Sequence, residues 1–253
     1  MSYNFTFNHL NDSRKKQYYF SIGIDPSGNL VAMVNKLVNS GRNSQEDQTS
    51  LFGTPVSQYF RIRADGRYYF ITGKKSKIAL KLIGGIGIPY GNSTVIPYVK
   101  QFFAGGTNSV RAFRARSLGP GSYHPPEDLN NLLIDQTGEI KIESSIEYRF
   151  PIFKYLNGAL FVDAGNVWLT QEDSLRPGGR FNQETFYKEF GVGLGAGLRL
   201  DFDIVVVRFD LAFPVRKPWY PEGNRWVFNE INFSDNTWRK NNLLLNISIG
   251  YPF

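Results

Sequence analysis

The chain alternates. In "EIKIESSIEYRF", Ile140, Ile142, Ile146, Tyr148 and Phe150 fall on one side of an extended backbone, and Glu139, Lys141, Glu143, Ser145, Glu147 and Arg149 fall on the other. In "IVVVRFDLAF", Val205, Val207, Phe209, Leu211 and Phe213 oppose Arg208 and Asp210. In "FGVGLGAGLRLD" an apolar row from Phe190 to Leu200 opposes Gly191, Gly193, Gly195 and Gly197, then Arg199 and Asp201. "NLLLNISIGYPF" places Leu243, Leu245, Ile247, Ile249, Tyr251 and Phe253 against Asn246, Ser248 and Gly250. "YFRIRADGRYYF" does the same with Arg61, Arg63, Asp65 and Arg67 on its polar side. Period two held this long marks strands. Their reach, roughly 10 to 14 residues, exceeds the usual mode of about 5 to 6. Strands of a sandwich in water are shorter, whereas a strand crossing a bilayer needs about 9 to 11 residues, apolar outward and polar inward. The fold class therefore reads as all-β, an antiparallel transmembrane β-barrel.

The connections agree. About ten strands are predicted, near 2–10, 15–25, 29–39, 57–72, 76–89, 138–151, 156–169, 189–201, 203–214 and 241–253. Short turns follow alternate strands at "PSGN", "GKKS", "IFKY" and Phe202, while the other connections, 40–56, 90–137, 170–188 and 215–240, are mostly long. Short periplasmic turns and long outer loops are the pattern of outer-membrane barrels, which puts the end of the last strand on the periplasmic side. Aromatics crowd the predicted strand ends, among them Tyr18, Phe20, Tyr69, Phe70, Tyr148, Phe153, Tyr155, Trp168, Trp219 and Phe253, as girdles at two lipid–water interfaces would. The whole chain, 1–253, reads as one barrel domain.

Other classes fare poorly. With no cysteine, the chain has neither disulfides nor thiolate metal sites. No apolar run of 18 residues offers a transmembrane helix, and the first residues carry no apolar leader segment. The net charge of +7 suits nucleic acid and an anionic membrane surface equally. His9 and His124 lack metal-ligand spacing, and no nucleophile-elbow motif occurs. The four alternate glycines are wrongly spaced for a dinucleotide loop and precede no helix; a flat wall that something packs against suits them better. The arginines Arg61, Arg63 and Arg67 read as charge pairing within a barrel wall.

The segment 90–137 is too long for a mere connection, and it holds "GGTNSVRAF", residues 105–113. This resembles the Val-Arg-Gly-Phe loop signature of the BamA/TamA-type outer-membrane assembly superfamily, the bacterial surface antigen family. Three later segments resemble that family in the same order: "ALFVDAGNVW" its Phe-x-Asp-x-Gly strand, "VRFDLAFPV" its penultimate strand, and "SIGYPF" its terminal insertion signal. Ala112 stands where the family has glycine, and no POTRA module is present in the chain.

The resemblance carries expectations. It implies a barrel of about sixteen strands, of which this chain would be the C-terminal part. It implies that the loop at about 90–137 folds into the lumen, with Gly105, Gly106, Ser109, Val110, Arg111, Ala112 and Phe113 as its motif. Arg111 would meet acidic residues of the inner wall, the candidates being Asp163, Glu143, Glu147 and Asp210. Gly250, Tyr251 and Phe253 would form the C-terminal insertion signal, with the Phe253 ring facing lipid. No catalysis, cofactor, metal or nucleic acid is implied. The partners implied are outer-membrane lipids, client outer-membrane proteins, and periplasmic or lipoprotein accessory subunits. The function it implies is an outer-membrane protein insertion or translocation factor whose seam accepts client strands; the alternatives are a two-partner-type polypeptide secretion pore and a barrel anchoring a passenger domain.

Overall fold

The computed structural model describes residues 2–10, 15–29, 50–51, 54–73, 75–91, 93–126, 135–202 and 205–253. Nine strands form one antiparallel sheet: β1 (Tyr3–His9), β2 (Lys16–Ser27), β3 (Tyr59–Ile71), β4 (Lys77–Pro89), β5 (Ile140–Phe153), β6 (Leu156–Trp168), β7 (Gly191–Asp201), β8 (Val206–Arg216) and β9 (Leu244–Ile249). They pair in chain order from β1 to β9. Among the described residues the sheet does not close, and β1 and β9 stand at its two ends.

Alternation decides the faces. On β5, Ile146 and Tyr148 are exposed while Glu143, Ser145, Glu147 and Arg149 are buried. On β8, Leu211 is exposed while Arg208, Asp210 and Ala212 are fully buried. A soluble protein would bury the apolar row. Here the polar row is buried and the apolar row faces outward, as lipid as solvent demands. No described helix is long and apolar enough to cross a membrane, so the strands alone would span one.

The connections sort by end. Residues 10–15, 72–76, 154–155 and 202–205 join strands at one end, and 28–58, 90–139, 169–190 and 217–243 join them at the other. This corrects the strand order expected from the sequence. β2 pairs directly with β3, from Lys16 opposite Phe70 to Ser27 opposite Tyr59, whereas the expected order puts a strand at 29–39 between them. Residues 30–39 of that segment lie outside the described residues. Pro26 and Ser27 of "PSGN" continue β2 rather than turn, so a long connection starts there.

Two further corrections concern the chain's end. A short helix, α1 (Asn236–Asn242), precedes β9, capped by the Asp235 carboxylate, which accepts from the Thr237 and Trp238 amides. The last strand therefore starts at Leu244 rather than 241. It also stops early. Gly250 has φ +90°, a left-handed geometry open to glycine, and the chain beyond it turns inward. Phe253 is buried against Tyr69 and Ala79, with Lys81 and Arg149 over its ring and the Arg149 Nη2 donating to its carbonyl at 3.0 Å. Its ring thus faces the interior, not lipid.

Several aromatics assigned to girdles are also interior. Tyr69 is buried beside Phe253, and Trp219 packs on the Phe113 edge. Trp168 is fully buried within Phe181, Phe186 and Phe190, its Nε1 donating to Glu189 at 2.6 Å. Tyr18, Phe20, Phe70, Tyr148, Phe153 and Tyr155 do stand exposed.

The outward face can be tested by single arginines. Ile146→Arg, Leu160→Arg and Leu211→Arg should each destabilise the lipid-embedded protein, by about 2–4 kcal/mol near the bilayer midplane. Thr6→Arg, on the polar side of β1, should stay within about 0.5 kcal/mol. Urea titration in phospholipid vesicles reads the difference, and equal losses would contradict a lipid-facing apolar row.

Candidate functional site

The loop between β4 and β5 supplies the site. Phe102–Phe103 pair with Thr137–Gly138, closing the base of the loop on itself. Gly105 and Gly106, with φ of +95° and +102°, then reverse the chain. The reversal is held by the Gly106 amide on the Phe113 carbonyl at 2.9 Å and the Gly105 amide on Ser109 Oγ at 2.9 Å. The tip, Val110 to Phe113, is buried against the polar face of β5 to β8. Val110, Ala112 and Phe113 join Phe102, Ala104, Leu118, Phe161, Val167 and Ala212 in one apolar cluster. The wall beneath is cut to receive it. A Cβ at Gly193 would lie 2.2 Å from that of Ala112, and one at Gly191 would strike Leu118 at 2.7 Å. Gly191 and Gly193 of β7 therefore leave the depth that the loop fills.

Arg111 is the centre of the contact, 1% exposed. Its Nε and Nη2 donate to the two oxygens of Asp163 at 2.7 and 2.9 Å, a bidentate fork. Its backbone amide adds a third bond to Asp163 at 3.1 Å. Nη1 reaches Glu147 at 2.6 Å and Asp210 at 3.3 Å. The guanidinium lies 3.3 Å from the Phe161 ring centroid. Burial opposes the charge, but Asp163, then Glu147 and Asp210, outweigh it and hold the Arg111 pKa above its ordinary value.

Of the four expected acidic partners, three meet Arg111. Glu143 does not: it accepts from Ser109 Oγ and pairs with Lys141 at 3.0 Å, so it holds the loop one residue pair away. Further residues complete the network. Ser145 donates to Asp163 at 2.6 Å and Asn246 of β9 to the Arg111 carbonyl at 3.0 Å. Arg199 bridges Asp210 and Glu147 at 2.5 and 3.2 Å, and Arg149 donates to Glu147 at 2.7 Å. Arg208 and Lys81 hold the loop's own backbone, donating to the carbonyls of Thr107 and Asn108 at 2.7 and 2.9 Å. The alternation already put Arg199, Arg208 and Asp210 on one face; that two of them serve as bridges and clamps needed the register. Among the described residues no group of histidine, cysteine or carboxylate side chains forms a metal site.

Gly250, Tyr251 and Phe253 lie apart from Arg111, at the short-turn end. The Tyr251 hydroxyl donates to Asp201 at 2.9 Å, and burial together with that carboxylate pushes its pKa up to about 12.

Long strands with the apolar row outward, joined by short turns at one end and long loops at the other, define an outer-membrane β-barrel wall, here with an arginine-anchored loop on its inner face. The Omp85 superfamily domain matches residues 39–233. The chain belongs to that superfamily, whose barrels reside in the bacterial outer membrane. It is 28% identical over 189 residues, 68% of its length, to the outer membrane protein assembly factor BamA of Neisseria meningitidis serogroup B, and spans 23% of that protein. Its fold is similar to BamA from Haemophilus ducreyi lacking POTRA domains 1–3, with a TM-score of 0.50 and 17% identity over 85% of this chain and 50% of that one. CdiB from Acinetobacter baumannii aligns over 98% of this chain at a TM-score of 0.40.

Arg111→Ala should cost about 3–5 kcal/mol, because it leaves buried carboxylates short of a partner. Arg111→Lys should recover only part of that, since an ammonium keeps the charge but not the fork. The urea midpoint of the folded barrel reads both, and an unchanged midpoint for the alanine variant would refute the anchoring role.

Proposed function

We propose that this chain is the membrane-embedded portion of an outer-membrane protein assembly factor, which offers a sheet edge to client strands. The observation that carries this reading is the short last strand β9, which pairs with β8 only from Val207 to Ala212, beside an interior already occupied by a pinned loop. An unpaired strand is a template for β-augmentation, in which an incoming strand gains main-chain bonds. The likeness to an assembly factor, over two thirds of the chain, supports the same reading. A polypeptide travelling through the interior would instead have to displace Arg111 from three carboxylates, which argues against a secretion pore. The partners in this reading are client outer-membrane proteins, the surrounding lipid, and accessory lipoproteins of the kind an assembly factor works with. No cofactor enters; the driving force is burial of client strands in lipid.

A photo-crosslinking residue at Ile247, exposed on the edge strand, should capture an unfolded client barrel protein during insertion into vesicles, and the same residue at Ile146, mid-sheet, should not. Capture at both positions alike, or at neither, would sink the edge assignment.

The terminal residues Gly250, Tyr251 and Phe253 are proposed as the signal read during this chain's own insertion, before they dock inside. Replacing Phe253 by Ala should lower insertion in cells far more than folding into detergent. Normal insertion in cells would leave Phe253 a packing residue only.

A further inference from the structure

At the short-turn end, on the interior side of the wall, lies a cavity of about 460 Å³ that shares Arg149 and Arg199 with the Arg111 network but is not lined by Arg111 itself. Among the described residues its lining carries Lys75, Lys77, Arg149, Lys154 and Arg199 against one carboxylate, Asp201. Asp201 already accepts the Tyr251 hydroxyl. The carboxylates behind the wall are also committed. Arg111, Arg149, Arg199 and Arg208 share only Glu147, Asp163 and Asp210. Lys75 and Lys154 add two positive charges at this mouth. No ion pair joins Lys75 or Lys154 to a carboxylate among the described residues. Walls of low dielectric focus such a surplus into the cavity.

A second observation points to a ligand. Arg199 is fully buried, lines the cavity, and its Nε has no hydrogen-bond partner among the described residues. A buried donor left unpaired is costly, and an acceptor entering the cavity would relieve it.

The layout selects the ligand. The cations sit on separate elements: Lys75 in the β3–β4 turn, Lys154 in the β5–β6 turn and Arg199 on β7. They are interleaved with the faces of Tyr155 and Tyr251, over which Lys154, Lys77 and Arg149 lie at 5.0, 5.6 and 4.7 Å. One compact anion would want its donors converging, whereas carboxylates spaced along an extended chain match donors spread over three elements. The cavity opens on the interior face and not on the apolar row, so an acyl-chain lipid approaches it from the wrong side. We propose that this cavity binds an acidic polypeptide segment of another protein, presented from the short-turn side, with its carboxylates on Lys75, Lys154 and Arg199. This does not depend on the assembly reading.

The test uses the full chain refolded in neutral detergent and a fluorescein-labelled acetyl-Glu-Ser-Glu-Ser-Glu amide, followed by anisotropy at fixed ionic strength. The Lys75→Glu/Lys154→Glu double variant should bind about tenfold more weakly or worse, as reversing two contacting charges predicts. The Lys15→Glu/Lys16→Glu variant carries the same net charge at the same end of the sheet, outside the lining, and should stay within about twofold. Equal losses in the two variants, or no saturable binding by the unaltered protein, overturn the site. Inorganic phosphate and phosphatidylglycerol mixed micelles serve as competitors. If either displaces the peptide more effectively than unlabelled peptide at equal charge, the occupant is a phosphate group or a lipid headgroup, and the acidic-segment proposal fails.

Discussion

The wall is organised around one buried guanidinium. A charge of that size removed from water is tolerated only where opposite charges and hydrogen bonds replace hydration, and Arg111 receives them from Glu147 and Ser145 on β5, Asp163 on β6 and Asp210 on β8. Those strands must therefore keep their register, because a shift of one residue would turn every carboxylate to the lipid side. The anchor and the sheet register are in this sense one constraint. Arg199, Arg208 and Lys81 extend it, tying acids to one another and the loop's own carbonyls to the wall.

The loop gains its fixed position from shape as well as charge. Ala112 fits over Gly193 with no space for a further side chain, and Phe113 meets the edge of Trp219. Above it, Trp168 and its ring of phenylalanines fill the long-loop end, while Arg216 and Arg225 donate to the backbone carbonyls of Lys188 and Phe190. The interior is thus occupied at mid-height and at the long-loop end, and the recognised cavity lies at the opposite mouth.

Much of this is legible in the sequence because lipid inverts the usual rule while keeping its period. Rows such as Ile140 to Phe150 against Glu139 to Arg149 state both the strand and its two solvents. What the pattern does not carry is where a strand ends for local reasons. The alternation of "NLLLNISIGYPF" runs on to Phe253, yet Gly250 adopts a positive φ and the row stops being a row. The helix at Asn236–Asn242 was signalled by Asp235 two and three residues before the amides it caps, but in a seven-residue helix that signal is slight beside the surrounding periodicity. Choice among equivalent acids is likewise invisible: Glu143 and Glu147 share a face, and only the height of the loop decides that Glu147 meets Arg111 while Glu143 meets Ser109.

The edge at β9 is short for a physical reason. β9 pairs with β8 from Val207 to Ala212 only. Beyond that, the chain doubles back so that Arg216 bridges to Trp226 and the Val227 amide takes the Val215 carbonyl. At about 3.3 Å per residue, six residues make a free margin of roughly 20 Å, bounded above by the returning chain and below by the inward turn at Gly250. A strand docking there forms a ladder less than half the length of β5. Such a junction works as a zip fastener with few teeth: quick to engage, and undone again at little cost.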